Sequence, residues 1–238
     1  MALHIAALVR NEAERFLPHI LPIWNACADS LVVLDDGSTD ETRALCTRAG
    51  AYVVDAEGGK VAWGAESPKR ARLFDLAWGV ARIDDYILIL DADMIPAKNP
   101  RVFMDSGADV VCFPLFDLWE TSPRLMYRED EFWRGHLSPR AWMFKKTKHQ
   151  HDPWEWSKRG VHCGHMPLNF KGESGVFAPR DYALMHYAYS SAELRAEKYI
   201  AYASVAAQLS EHEIAHACSI MDPSPETYLL EFNPEFRL

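Results

Sequence analysis

A chain of 238 residues, 49% hydrophobic and 25% charged with a net charge of −9, is long enough to bury a full core and lacks the basic run that binding along a nucleic-acid backbone needs. The five cysteines, Cys27, Cys46, Cys112, Cys163 and Cys218, are odd in number and form no CxxC pair, which excludes a disulfide framework and fits reduced thiols in a cytoplasm-like compartment. No apolar run approaches the roughly 18 residues of a membrane span, and MALHIAALVRNE has neither the basic flank nor the cleavage site of a signal peptide, so a soluble, cytoplasmic protein is expected.

In chain order, His4 to Val9 reads as a first strand, broken by Arg10-Asn11-Glu12 and followed by a helical pattern through Leu17, Ile20, Leu21 and Trp24. Ser30 to Leu34 reads as a second strand. Gly37 then supplies a turn, and Ser38 with Glu41 fits a capping box opening a helix towards Ala49. Tyr52 to Val54 is a third strand, and Gly58, Gly59, Gly64 and Pro68 mark residues 58–68 as a loop. A helix from about Lys69 to Ala81 leads to the unbroken apolar run Tyr86-Ile87-Leu88-Ile89-Leu90, as expected of a strand buried on both faces. This alternation predicts an α/β fold with a mostly parallel central sheet flanked by helices.

Asp109 to Phe116 reads as a further strand, after which the texture changes. Residues 117–170 hold five of the eight tryptophans, Trp119, Trp133, Trp142, Trp154 and Trp156, and half of the ten histidines. Periodicity is poor there, apart from strand-like pieces at 141–145 and 161–163. Tyr182 to Tyr187 is another strand. Ser190-Ser191-Ala192-Glu193 fits a second capping box, opening a helix with Leu194, Ala201, Val205 and Leu209 on one stripe. The proline- and aromatic-rich last seventeen residues should pack against the body. With no repeat and no linker, residues 1–238 are expected to form one domain, with a sheet-based half (1–116) and an irregular half (117–238).

The apolar run at 86–90 ends in two carboxylates separated by one residue. Asp91 and Asp93 would point the same way at a strand's carboxyl end. Two like charges so close are unfavourable unless a cation sits beside them, and oxygen ligands suit Mg²⁺ or Mn²⁺. An acidic turn stopped by Pro96 is the alternative.

Leu8-Val9-Arg10-Asn11-Glu12, then Val32-Val33-Leu34-Asp35-Asp36-Gly37-Ser38-Thr39-Asp40, then Leu90-Asp91-Ala92-Asp93 together resemble the family 2 glycosyltransferases of the Rossmann-like GT-A fold. The resemblance covers about the first 115 residues and implies a metal-dependent transferase moving a sugar from a nucleoside-diphosphate donor to an acceptor hydroxyl, with inversion. It implies that Leu8, Val9, Arg10, Glu12 and Asp36 line the nucleotide, with a carboxylate accepting a base N–H, which suits uracil and hence UDP. It also implies that Arg72, with Lys69 and Arg70 as near alternatives, holds the diphosphate. Asp91, Ala92 and Asp93 would contact the donor, with Asp91 and Asp93 near the metal, and His186 would complete the metal sphere.

The general base is less legible. The family's late Glu-Asp pair has no clear counterpart, and cysteine follows Val161-His162 where some relatives carry glutamate. Asp130 in the acidic triplet Glu129-Asp130-Glu131 is the first choice, with Glu129, His162 and Glu155 as alternatives; a solvated loop is the bland reading of the triplet. The tryptophan-rich middle fits an acceptor glycan, since indole suits sugar C–H faces. Its basic neighbours Arg134, Arg140, Lys145, Lys146, Lys148 and Arg159 fit a phosphate-bearing acceptor such as a lipid-linked sugar, or a stacked base in modified DNA. Two other classes remain. His212-Glu213-Ile214-Ala215-His216 matches the zinc-hydrolase pattern H-E-x-x-H, with Asp222 or Glu226 as third ligand. A sugar-nucleotide- or glycan-binding protein without catalysis is the other.

Overall fold

The structure, a computed structural model, describes residues 1–56, 66–148, 153–157 and 164–238. The first half lays down β1 (Leu3–Val9), α1 (Leu17–Cys27), β2 (Ser30–Asp35), α2 (Thr42–Arg48), β3 (Tyr52–Asp55), α3 (Glu66–Val80) and β4 (Tyr86–Asp91). Strands β3, β2, β1 and β4 are parallel neighbours in that order. Alternate residues of the strands enter opposite cores. Ile5, Ala7, Val33, Leu88 and Leu90 pack with Leu17, Ile20 and Trp24 of α1, whereas Ala6, Val32, Ile87 and Ile89 pack with Leu73, Phe74 and Trp78 of α3. A period of two with both faces covered explains the unbroken apolar run. Each such leucine or isoleucine contributes about 1.5–3 kcal/mol by leaving water.

The chain continues through β5 (Met94–Pro96), β6 (Val110–Phe113), β7 (Leu115–Glu120), β8 (Met126–Arg128), β9 (Arg140–Lys145), β10 (Gly175–Phe177), β11 (Leu184–His186), α4 (Ala192–Ser204), α5 (Glu211–Ser219) and β12 (Thr227–Leu229). Among the described residues the main sheet has the order β10-β6-β9-β4-β1-β2-β3, with β9 antiparallel to both of its neighbours. A second sheet has the order β12-β8-β7-β11-β5. This is the expected α/β architecture, a mostly parallel central sheet flanked by helices. One core contains residues of both halves, Phe116, Trp142 and Met185 among them. No helix among the described residues is long and apolar enough to cross a membrane.

Several local readings change. The strand expected over Asp109–Phe116 is two strands in different sheets, because Pro114 lacks the N–H a continuous ladder needs. Pro68, read as loop, lies in the first turn of α3, where a missing N–H costs nothing. Ser38 does not cap α2. Its hydroxyl donates to Asp35 Oδ1 at 2.6 Å, while Asp40 Oδ1 accepts from the Thr42 amide at 3.0 Å. Ser191, rather than Ser190, caps α4, accepting from the Leu194 amide at 3.2 Å. That helix ends at Ser204, short of Val205 and Leu209. The expected loop residues Gly58, Gly59 and Gly64 and the strand-like piece 161–163 lie outside the described residues.

Candidate active site

The strand order reverses at β1, so β1 and β4 bracket the crevice where α/β sheets bind ligands, beyond the carboxyl ends of the strands. Leu8 is paired with Asp91 and Val9 with Asp35, which brings residues 8–12, Asp36 and Asp91-Ala92-Asp93 to one rim. Two turns with positive φ shape it, Asn11 at 52° and Gly37 at 71°. Glycine takes that conformation without strain and asparagine tolerates it. The turns brace each other: Asn11 Oδ1 accepts from the Thr39 amide at 2.8 Å, and the Asn11 amide donates to Ser38 Oγ at 3.0 Å.

Helix α3 delivers two adjacent cations to this rim. Lys69 Nζ donates to Asp36 Oδ2 at 2.6 Å, and Arg70 Nη2 donates to Asp91 Oδ1 at 2.5 Å. Arg10 Nη1 stands 3.6 Å from Asp36 Oδ2. Asp36 Oδ1 is buried and accepts no hydrogen bond among the described residues. Of the three basic residues considered for the diphosphate, Arg70 lines the pocket; Arg72, the first choice, is not among the lining residues. Leu8, Val9 and Ala92 contribute backbone and apolar surface to the rim, Val9 and Ala92 being buried.

Asp93 meets His186 at the end of β11. His186 Nε2 lies 3.3 Å from Asp93 Oδ1, and Nδ1 lies 2.7 Å from Asp117 Oδ1 on β7. Lys198 of α4 places Nζ 3.4 Å from Asp93 Oδ2. Burial opposes ionisation of Asp93, but Lys198 and His186 outweigh it and hold its carboxyl below the usual range. Burial is likewise overcome at Asp91, where Arg70 and then His165 hold the carboxyl well below that range. His186 goes the other way: despite burial, Asp93 and Asp117 push it up to about 10. At Glu12 burial outweighs Arg15, whose Nη1 lies 3.2 Å from Oε1, and drives the carboxyl up to about 7.

Among the described residues, no three histidine, cysteine, aspartate or glutamate side chains form a ready metal cage. Mg²⁺ and Mn²⁺ commonly use one or two carboxylates and take their remaining ligands from water and substrate phosphates, so a cage is not required. The donor set fits such an ion. Asp93 Oδ1 is buried and makes no tight hydrogen bond among the described residues, His186 Nε2 standing 3.3 Å away, and Asp117 orients His186 through Nδ1, as an outer carboxylate orients a metal-binding imidazole. Asp91, Asp93 and His186 are therefore the residues that could hold it.

The pocket over this rim has a volume of about 420 Å³. Its lining includes the charged Glu66, Arg70, Asp91, His186 and Lys198 and the aromatic Phe132, Trp133, Trp142 and Tyr189, together with His212, Glu213 and His216 of α5, and Arg140 is the one basic residue of the middle segment to reach it among the described residues. Trp133 and Trp142 are thus on the pocket, while Trp119 joins the core behind it and Trp154 packs against Phe74 and Trp78.

The three expected bases that are described stand elsewhere. Asp130 Oδ2 accepts from Arg128 Nε at 2.6 Å and Oδ1 from the amides of Phe132 and Trp133 at 2.8 and 3.3 Å, so this carboxylate shapes its own loop. Glu129 Oε2 lies 2.6 Å from His136 Nε2. Glu155 is exposed and does not line the pocket. His162 and Arg159 lie outside the described residues.

The H-E-x-x-H segment does lie on a helix, α5, with one oxygen of its glutamate in the helix cap and both histidines packed on aromatic rings. Glu213 Oε2 accepts from the Ser210 amide and hydroxyl at 2.8 and 2.7 Å in a capping box. His216 packs on Trp133 at 4.7 Å and His212 on Phe132 at 5.4 Å between ring centroids. Asp222 is on Arg128 and Glu226 on Tyr228. A zinc centre thus finds no third ligand among the described residues.

Sequence reasoning missed Lys198, Glu66, Asp117 and His165. His165 stacks on Trp142 at 3.6 Å between centroids, with Nε2 3.6 Å from Asp91 Oδ2, and burial holds it down to about 4. None carries a sequence signal of its own, since each is brought to the pocket only by the fold.

No family model matches the chain. A TPR repeat-containing protein of Synechococcus elongatus is 39% identical over 89 residues, 37% of this chain and 20% of that protein. Glucosyl-3-phosphoglycerate synthase of Mycobacterium tuberculosis is 31% identical over 114 residues, 47% of this chain and 29% of that protein. The chain thus spans less than a third of the length of the curated relatives it matches. Among solved structures, TarS of S. aureus residues 1–349 is 16% identical over 93% of this chain and 69% of its own, with a TM-score of 0.48. The M. tuberculosis synthase, in complex with Mn²⁺, UDP and glucosyl-3-phosphoglycerate, is 22% identical over 48% of this chain and 43% of its own, with a TM-score of 0.32.

Proposed function

We propose that this chain, whose amino half resembles the family 2 glycosyltransferases, transfers a sugar from a nucleoside-diphosphate donor, UDP-sugar in first place, to an acceptor hydroxyl. The observation that carries the reading is the pairing of adjacent α3 cations with the two rim carboxylates, Lys69 with Asp36 and Arg70 with Asp91, at 2.6 and 2.5 Å. It supports a nucleotide lying across the rim, base towards Asp36 and phosphates towards Arg70. The bare Asp36 Oδ1 suits the ring N–H of uracil. The name of the mycobacterial relative, a glucosyl-3-phosphoglycerate synthase, supports sugar transfer as the activity.

In the reaction the acceptor oxygen bonds to the anomeric carbon as the bond to the diphosphate oxygen breaks, with inversion. The nucleoside diphosphate leaves, and the acceptor proton passes to a carboxylate. Arg70 stabilises the charge growing on the departing phosphate from a buried position, where it acts through little intervening water. A divalent ion held by Asp91, Asp93 and His186 would supply further neutralisation of the diphosphate. Trp133, Trp142 and Tyr189 give the acceptor an aromatic wall suited to a glycan. For the proton, Glu213 has the better claim than Asp130. It lines the pocket, whereas both Asp130 oxygens are committed to its own loop.

The test is a melting screen of nucleotide sugars with and without Mn²⁺, because a ligand that binds only the native state raises its midpoint. A UDP-sugar should raise it, and more so with Mn²⁺. Unchanged midpoints across the panel would contradict the reading.

A further inference from the structure

Lys198 is a pocket cation to which the donor-site reading gives no task. Its Nζ lies 3.4 Å from Asp93 Oδ2, on the oxygen opposite the one facing His186 Nε2 at 3.3 Å. Asp93, Asp91 and Glu12 all act on its charge, and Glu66 also feels it. Asp93 is the carboxylate it meets, while Arg70 Nη2 is on Asp91 Oδ1. A separation of 3.4 Å is longer than the roughly 2.7–2.9 Å of a tight charge-assisted hydrogen bond, so the ammonium is held loosely. The helix beneath it is fixed. Ser191 caps α4, and Arg195 Nη1 donates to the carbonyls of Trp119 and Tyr189 at 2.9 and 2.8 Å. Movement is thus left to the flexible lysine stem, whose point charge can change partners more freely than a guanidinium fork.

We propose that Lys198 is a cation built into the donor site: it holds Asp93 when no ligand is bound, competes there with the divalent ion, and turns to a diphosphate oxygen once that ion has taken Asp93. The proposal rests on the donor-site reading above. A doubly charged ion in direct contact with a carboxylate outcompetes a single ammonium at 3.4 Å by Coulomb attraction alone. The displaced ammonium stays in the same cavity, where the diphosphate offers the largest negative charge. Lys198 thus lends the site part of its charge before any ion arrives.

Calorimetric titration with Mn²⁺ alone, and then with UDP or uridine at saturating Mn²⁺, tests this on wild type, Lys198→Met, Lys198→Gln and Lys198→Arg. Either neutral variant should bind Mn²⁺ at least about threefold more tightly than wild type, and UDP at least about tenfold more weakly with uridine unchanged, while Lys198→Arg stays within about twofold for Mn²⁺. Using two neutral variants guards against one that fails to fold. Wild-type affinities for Mn²⁺ and UDP in a folded neutral variant would overturn the proposal. A wild type that binds Mn²⁺ but no UDP would overturn the donor-site reading instead; the Mn²⁺ titrations would still decide whether Lys198 competes for Asp93.

Discussion

Arg70 and Asp91 meet at 2.5 Å between Nη2 and Oδ1, joining the helix before β4 to the end of that strand. The contact puts a guanidinium where a diphosphate would lie, and a buried charge-assisted hydrogen bond of this kind is worth about 2–3 kcal/mol. Arg70→Ala should therefore weaken UDP binding by about 30-fold or more and leave uridine binding nearly unchanged. Arg72→Ala should have a much smaller effect. Titration calorimetry with both ligands checks this, and equal losses in the two variants would move the phosphate contact away from Arg70.

What the sequence allowed follows from how local each signal is. The run Tyr86–Leu90 announces its own burial on both faces, and Asp91 ends that strand, but Asp93 lies in the turn that follows, where strand alternation no longer fixes its side. The choice of Arg70 over Arg72 is not local. It depends on the phase of α3 as it passes β4, and that helix begins at Glu66 rather than near Lys69. Lys198 and Asp117 reach the site from α4 and β7, and nothing near them in sequence points to Asp93. Asp130 looked like a base because it stands in an acidic triplet, but its partner Arg128 and the loop amides are revealed only by the fold.

Glu12 gives the ligand-free protein a pH dependence. Burial lifts its carboxyl from the usual carboxylate range to about 7, so the folded protein keeps a proton that the unfolded chain has already released. The associated stability is fully present below the unfolded value and is lost as pH rises through about 7. Glu12→Gln stays neutral throughout. It should match wild type near pH 4 and exceed it by about 1–3 kcal/mol near pH 8. Urea unfolding at the two pH values, without metal, measures this; a difference independent of pH would contradict the assignment.

Glu213 and Asp130 can be separated by their amide variants. Glu213→Gln preserves a side chain able to accept from Ser210 in the α5 cap and should bind donor normally while losing at least about a hundredfold in transfer. Asp130→Asn should lower stability by about 1–3 kcal/mol, since it weakens a hydrogen-bonded charge pair to buried Arg128, yet retain transfer in the folded fraction. Single-turnover transfer from labelled donor, together with melting curves, distinguishes them. The reverse pattern would make Asp130 the base.

Asp93 bears the heaviest demand, since the donor-site account requires it to link the carboxyl end of β4, His186 and a divalent ion. The most direct measurement is UDP affinity with and without Mn²⁺ in wild type and Asp93→Ala. The account predicts that Mn²⁺ tightens UDP binding to wild type by at least about tenfold and has no such effect on an Asp93→Ala protein that still unfolds cooperatively. Undiminished Mn²⁺-dependent UDP affinity in that variant would contradict it.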